Sequence, residues 1–291
     1  MLGSEGYSRL LASLANKLPI HLVTQAIDVA QVMKDEDRAT VLVASINKLP
    51  TELIPKAFDA AQVITNGAHR ATVLVALADK LPIELIPKAF DAAQVITNGA
   101  DRVRVLVALA DKLPIELLPQ ALNAAETVET SRDRSEILIA LTSRLSIELL
   151  PQALNVLNAN LITTYWYIHI NDYIYNYDSR ARTLAVLAKK FPEVLPQAID
   201  AIQAIRGSEN SVEILSSLAN EFPKVLPQAI DAAQEIGNEE KRFEALAALA
   251  KKFPDVLPQA IDAAQEIGNE EKRFEALAAL AKKFPDVLPQ A

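Results

Sequence analysis

Cysteine is absent from the 291-residue chain. That excludes disulfides, thiolate metal ligands and cysteine nucleophiles, and it fits a reducing, cytoplasmic setting. Glycine is scarce, at seven residues, and none opens a phosphate-cradling loop of the Walker or dinucleotide type. The three histidines, His21, His69 and His169, include no i, i+4 pair, so no zinc motif is present. His21 and His69 read as solvated residues near turns, and His169 as a turn residue or a pH-sensitive contact. Positive charge is not in excess. The net charge is −8, whereas a general nucleic-acid binder needs a basic surface to release phosphate counterions. Apolar residues reach 51 %, yet their runs fall far short of the roughly 20 residues of a membrane span. The opening residues show no basic segment followed by an apolar one, so no signal peptide is predicted. Carboxylates are plentiful but stand beside lysines, as in Glu239 to Arg242, and read as a solvated helix start. With no paired acid and base, no enzyme activity, cofactor or metal is expected.

What the sequence does contain is a repeat. Residues Pro227 to Leu257 read PQAIDAAQEIGNEEKRFEALAALAKKFPDVL, and Pro258 to Leu288 repeat that string unchanged. Prolines mark the register elsewhere. Pro55, Pro87, Pro119, Pro151, Pro196, Pro227, Pro258 and Pro289 open the units, with Thr24 in the equivalent first place. Pro19, Pro50, Pro82, Pro114, Pro192, Pro223, Pro254 and Pro285 close them, and Ser146 substitutes once. Successive opening marks lie 31 or 32 residues apart, except for the 45 between Pro151 and Pro196.

Each unit reads as two helices. In the one opening at Pro258, proline suits the first helical turn, where its missing N–H costs nothing. Ile261, Ala264 and Ile267 follow at helical spacing and are expected to be buried. Gly268 reads as a left-handed stop and Asn269 as the cap of the second helix. Phe274, Leu277, Ala278, Ala281 and Phe284 form that helix's expected buried stripe, widened by Ala279 and Leu280. Lys282 and Lys283 suit its last turn, and Pro285 ends it. The pattern predicts an all-α solenoid of antiparallel helix pairs, about eight and a half repeats in a single domain over residues 1–291. Neither end carries a polar capping repeat, so a fragment of a longer array, or ends covered by a partner, is expected.

The PQAIDAAQEI…RFEALAALAKKFP unit resembles the bacterial helix-pair repeats of the broad HEAT-like and tetratricopeptide-like solenoid class. It is most similar to the Leu-Pro-Gln-Ala repeats of cyanobacterial multi-domain proteins, sometimes found behind signalling NTPase modules. The resemblance covers nearly the whole chain. It implies a right-handed superhelix and protein–protein recognition, and it carries over no catalytic residue. The Trp-Leu-Gly and Tyr signature of true tetratricopeptide repeats is missing, so their peptide-tail clamp does not transfer.

The pattern breaks once. The unit opening at Pro151 holds about 14 extra residues, near positions 160–178 of the fifth helix pair, by comparison with the unit at Pro119. The stretch contains Tyr165, Trp166, Tyr167, His169, Tyr173, Tyr175 and Tyr177. Two structures compete for it. One is a longer helical hairpin, with Asn171 or Asp172 at the turn and cap. The other is a β-hairpin over Tyr165 to Tyr177 with Asn171-Asp172 at its tip. In either, the aromatics are candidates for a partner-binding patch, for packing on the next repeat, or for a small-ligand pocket.

Two charged residues recur in register. Aspartate marks the first helix at Asp28, Asp59, Asp91, Asp200, Asp231 and Asp262, with Asn123 and Asn155 in two units. Arginine marks the start of the second helix at Arg38, Arg70, Arg102, Arg134, Arg180, Arg242 and Arg273, with Ser211 in one. Such a ladder either reads an extended ligand or binds helix ends and neighbouring repeats, and the second reading is favoured because each repeat touches only its neighbours. The expected function is a scaffold or sensor module binding a protein or peptide, without a membrane or nucleic-acid partner. A structural spacer or end-to-end self-assembling array is the first alternative, and a helical-repeat nucleic-acid reader the second.

Overall fold

The computed structural model describes residues 9–10, 12–14, 19–159 and 170–284, with the backbone alone for 170–176. Among the described residues every regular element is helical and none is a strand. The chain divides into two compact units, residues 1–165 and 166–291. The first holds α1 (Ile20–Ala30), α2 (Asp35–Ile46), α3 (Ile54–Gln62), α4 (Gly67–Ala78), α5 (Ile86–Gln94), α6 (Gly99–Leu109), α7 (Leu118–Glu126), α8 (Ser131–Leu141) and α9 (Leu150–Asn158). The second holds α10 (Ile170–Lys190), α11 (Leu195–Gln203), α12 (Glu209–Ala219), α13 (Leu226–Gln234), α14 (Glu239–Lys252), α15 (Leu257–Gln265) and α16 (Glu270–Lys283). Odd-numbered helices are the first of each pair and even-numbered helices the second. Within each unit the even helices pack directly on one another in succession, α2 on α4, α4 on α6 and α6 on α8, then α10 on α12, α12 on α14 and α14 on α16. The architecture is an all-α helical repeat.

Proline chemistry explains the punctuation. The closing proline cannot continue a helix, and it holds the residue before it extended, as at Phe253 with φ −127° and ψ 90°. A 3₁₀ turn follows, such as Ile83–Leu85 or Pro254–Val256. The opening proline then sits in the first turn of the odd helix, second in α15 after Leu257, where its missing donor is harmless. The two units build this turn differently. Closing and opening prolines are five residues apart at Pro82 and Pro87 but four apart at Pro254 and Pro258. This one residue separates the 32-residue periods between Pro50 and Ser146 from the 31-residue periods after Pro192.

Core volume follows the same division. In the first unit Phe58 and Phe90 on the odd helices are fully buried. Leucines Leu49, Leu81, Leu113 and Leu145 precede the closing proline or Ser146 and are buried. In the second unit the odd-helix position is Ile199, Ile230 or Ile261, each half-buried, and the residue before the closing proline is Phe191, Phe222 or Phe253. The ring of Phe58 and Phe90 thus gives way in the second unit to a ring before the closing proline.

Several expectations need correction. Gly268 is not a left-handed stop. Helix α15 ends right-handed at Glu266, and among the described glycines only Gly207 has a positive φ, 74°. The Gly268 N–H instead donates to the Glu239 carboxylate of the preceding pair at 2.7 Å. Asn269 does cap α16, accepting the Lys272 N–H at 3.0 Å, and Asn66, Asn98, Thr130, Ser208 and Asn238 cap their helices in the same way. Ile261 is half-buried, while Ala260 and Ala263 join Ala264 and Ile267 inside. Phe274 is 74 % exposed, and Ala276 and Leu280 are the buried residues of α16. One pair earlier Leu246, Ala247, Leu249 and Ala250 are all buried in α14, because another pair packs over them. Burial in a repeat is decided by the neighbour.

Polar staples one unit apart lock the stack. The Asp35 carboxylate accepts the Thr65 hydroxyl at 2.6 Å and the backbone N–H groups of Thr65 and Asn66 at 2.8 Å each, while Arg38 stands at 3.3 Å. The Thr65 hydroxyl, those two N–H groups and the Arg38 charge together hold the Asp35 carboxyl below its usual range, against the opposing effect of burial. A folded-state pKa below the unfolded value of about 3.9 means this stabilisation is complete above about pH 4 and is lost as the pH falls through the folded value. Asp35→Asn is therefore expected to flatten the acid limb of the stability profile below about pH 4 and to lower stability at pH 7. Urea melts across pH 2–7 measure both, and an unchanged acid limb would remove Asp35 from the account.

Candidate functional site

The recurrent arginines converge on one target, the C-terminal carbonyls of the preceding odd helix. Arg70 Nε donates to Ile64 O at 2.8 Å, Arg134 Nη1 to Val128 O at 2.7 Å and Glu129 O at 3.0 Å, and Arg273 Nη1 to Ile267 O at 3.0 Å. Arg102 and Arg242 reach Ile96 O and Ile236 O at 3.4 and 3.5 Å, while Arg38 spans the carbonyls of Ala30, Gln31 and Met33. These carbonyls lie at, or one to three residues beyond, the C-terminus of that helix, where the dipole favours a cation. Arg180 also has a polar or electrostatic contact. The aspartates lie elsewhere. Asp59, Asp91, Asp200, Asp231 and Asp262 are exposed on the odd helices. Where a side-chain contact forms in this column it runs to the next odd helix, Asp28 with Lys56 as an ion pair and Asn123 Oδ1 with the Gln152 amide at 2.7 Å.

The insert is partly visible. Helix α10 runs from Ile170 through Lys190, so the backbone of residues 170–177 is helical and the β-hairpin alternative does not hold there. Nor do Asn171 and Asp172 form a turn, since the helix runs through them. An unbroken helix lets α10 begin ten residues before Arg180, whereas α14 begins three before Arg242. At 1.5 Å per residue the extension is about 10 Å. Tyr173 and Tyr175 lie on this extension, and Tyr177 is half-buried with a bonding partner. Tyr165, Trp166, Tyr167 and His169 lie outside the described residues. His21 is exposed, and His69 is half-buried in the first turn of α4, where its N–H donates to Asn66 Oδ1 at 3.1 Å. Among the described residues no cluster of three or more histidines and carboxylates is placed to hold a metal ion. No described helix is long and apolar enough to cross a membrane.

The outward face of the even helices differs sharply between the two units. In the first, the position five residues after the recurrent arginine is Val43, Val75, Val107 and Ile139. Val43 and Val75 are half-buried, and Val107 and Ile139 are 37 % and 40 % exposed. The alanines Ala44, Ala76, Ala108 and Ala140 flank them and are half-buried. The result is a column of β-branched side chains over a floor of alanine. In the second unit the same position is Ala185, Ser216, Ala247 and Ala278, and the face is charged. A shallow cleft of about 320 Å³ between α12 and α14 is lined by Glu209, Glu213, Ser216, Lys241, Glu244 and Lys252 among others. Lys241 Nζ stands 2.7 Å from the Glu209 carboxylate, which raises the lysine pKa, and Lys252 Nζ donates to Ser216 Oγ at 3.2 Å. These charges satisfy one another. Sequence reading missed the aliphatic column, although comparing the units position by position at the 32-residue spacing displays it.

No protein-family model matches the chain, and no curated protein matches it. Among solved structures it is similar to Ton1535 from Thermococcus onnurineus NA1, with 16 % identity and a TM-score of 0.26 over 96 % of this chain and 92 % of that one. A second is a structure described as "Computational Design of Self-Assembling Cyclic Protein Homooligomers", with 17 % identity and a TM-score of 0.14 over 94 % of this chain and 98 % of that one. Likeness at this level carries no argument about what the chain does.

Proposed function

We propose that this chain is a protein-interaction scaffold or sensor module without catalytic activity, and that the even-helix face of its first unit receives the partner. The column Val43, Val75, Val107 and Ile139 carries this reading. The exposed parts of these aliphatic side chains, recurring in register, lose hydration when a partner covers them, and the alanine floor lets that partner approach closely. The HEAT-like and tetratricopeptide-like kinship, a cyanobacterial source and a cytoplasmic location belong to the same proposal. An acidic net charge of −8 and a face whose outward charges are mixed favour protein over nucleic acid as the partner.

The test is a paired capture experiment with the intact chain and the double variant Val107→Glu, Ile139→Glu, each immobilised and probed with extract from the source organism. Both side chains are exposed, so the variant is expected to keep the wild-type circular dichroism and melting profile. Partners held by the wild type and lost at least tenfold by the variant support the reading. Identical retention by both would move the contact away from this face.

One observation favours self-association as a second reading. Phe274 is 74 % exposed on α16, whereas its counterpart Phe243 is half-buried under the following pair. Light scattering from low to high micromolar concentration decides between them. A constant monomer mass argues against assembly, and growth abolished by Phe274→Glu supports it.

A further inference from the structure

The loop edge of the first unit carries a second ladder, distinct from the even-helix face. Four 3₁₀ turns, Thr51–Leu53, Ile83–Leu85, Ile115–Leu117 and Ile147–Leu149, each join an even helix to the next odd one. The first residue of the last three turns is isoleucine, with Ile83, Ile115 and Ile147 at 58 %, 63 % and 50 % exposure. The second residue is always glutamate, and Glu52, Glu84, Glu116 and Glu148 are all exposed. An aliphatic row and an acidic row therefore run side by side.

Three neighbouring cations turn away from the glutamates. Lys80 Nζ turns back to donate to Ile46 O at 2.9 Å and Asn47 O at 2.8 Å. Lys112 Nζ does the same to Ala78 O at 2.8 Å, and Arg144 Nη2 donates to Leu113 O at 3.0 Å. These three cations are drawn to carbonyls of the preceding pair, which leaves Glu84, Glu116 and Glu148 outermost beside them. Nor does the turn require an exposed isoleucine. In the second unit that position is Pro192, Pro223 or Pro254, and Lys224 interrupts the acidic row. The paired rows belong to the 32-residue units alone.

The spacing selects the shape of what fits. The even helices pack directly on one another, so successive turns recur at roughly 10 Å. A helix returns a side chain to the same face every seven residues, about 10.5 Å along its axis. A strand returns one every second residue, at about 6.6 and 13 Å, and falls out of step. The geometry points to a basic amphipathic α-helix of a partner protein as the occupant of this edge, with an apolar residue in each heptad meeting an isoleucine and lysine or arginine beside it meeting a glutamate. Acidic rows repel nucleic acid and anionic lipid surfaces and attract such a helix.

The probe is a synthetic peptide of about 21 residues, three heptads of Leu-Lys-Ala-Leu-Lys-Ala-Lys, titrated onto the intact chain by fluorescence anisotropy at low and high salt. The control has the same composition with apolar and basic residues alternating as in a strand. The heptad peptide is expected to bind at least tenfold more tightly than the alternating one, and more weakly as salt rises. Ile83→Lys with Ile115→Lys is expected to reduce binding at least tenfold, and Glu84→Lys with Glu116→Lys to reduce both binding and its salt dependence. All four side chains are exposed, and circular dichroism verifies that each variant is folded. Val107→Glu with Ile139→Glu should leave peptide binding unchanged, which separates this edge from the even-helix face. Equal binding of both peptides, or indifference to the isoleucine variants, would overturn the proposal. So would retention by phosphatidylserine vesicles in place of the peptide.

Discussion

Phe90→Ala is expected to destabilise the first unit by about 3–5 kcal/mol, the usual cost of emptying a ring-sized site in a close-packed core. Phe90 sits three residues after Pro87 on α5 and is fully buried. The loss combines the transfer free energy of the ring with the cavity left between helices that cannot fully close. Because repeats are coupled only through their neighbours, the effect is concentrated around α5 and its adjoining pairs. Hydrogen exchange resolved along the chain measures that distribution, and urea melts measure the total. Protection should fall first in α4 to α7, with α12 to α16 nearly unaffected. Phe90→Leu should cost far less, about 1–1.5 kcal/mol, because Leu122 already fills the equivalent place one pair later. A uniform loss of protection in both units would show that they unfold as one body.

Arg134→Met is expected to cost about 2–3 kcal/mol, although it keeps most of the side-chain volume. Arg134 is only 3 % exposed, and its Nη1 bonds two carbonyls at the end of α7. Burial lowers its pKa, yet a guanidinium starts so high that it stays charged. Removing it strands the buried Val128 carbonyl and the part-buried Glu129 carbonyl at the negative end of a helix dipole. The unit with no arginine shows what substitution requires. Ser211 is fully buried in place of arginine, and its hydroxyl donates to Ser208 O at 2.7 Å. The carbonyl of Ile205, at the end of the preceding odd helix, takes the Ser208 N–H at 3.3 Å and the Ser208 hydroxyl at 2.7 Å. Gly207 adopts φ 74° to bring Ser208 round. The sequence Arg-Gly-Ser at 206–208 replaces the guanidinium with local bonds. Arg134→Ser alone lacks that turn and should be at least as damaging as Arg134→Met. Thermal and urea melts compare the three proteins, and a loss under about 0.5 kcal/mol would make the arginine dispensable.

The candidate contact surfaces were much less legible than the fold. The insert drew attention because five tyrosines and the one tryptophan stand out by composition, whereas the exposed rows are made of valine and isoleucine, the commonest core residues. Val107 and Ile115 look alike in sequence to Val105 and Leu113, yet the first two are exposed and the last two buried. The helix holding Val105 and Val107 places residues two apart on different sides, and only the position of the next pair determines which side is covered. The recurrent arginines were visible as a ladder, but their acceptors were not. A side chain that reaches back six residues to a carbonyl does so only after the chain has reversed between two antiparallel helices.

The sequence by itself determined the repeat period, the helix pairs and their punctuation. Proline, asparagine and the acidic or basic ends of each helix act on backbone groups within a few residues, so their effect is local and survives in any context. Tertiary structure decided the rest. It turned Gly268 into a partner of Glu239, left Phe274 exposed, buried Phe90, and carried α10 straight through Asn171 and Asp172. It also placed Ile83, Ile115 and Ile147 of three successive turns on one edge. The Gly268, Phe274 and Phe90 outcomes depend on a neighbouring pair some thirty residues away, and in a repeat protein that neighbour is what makes a surface into a core.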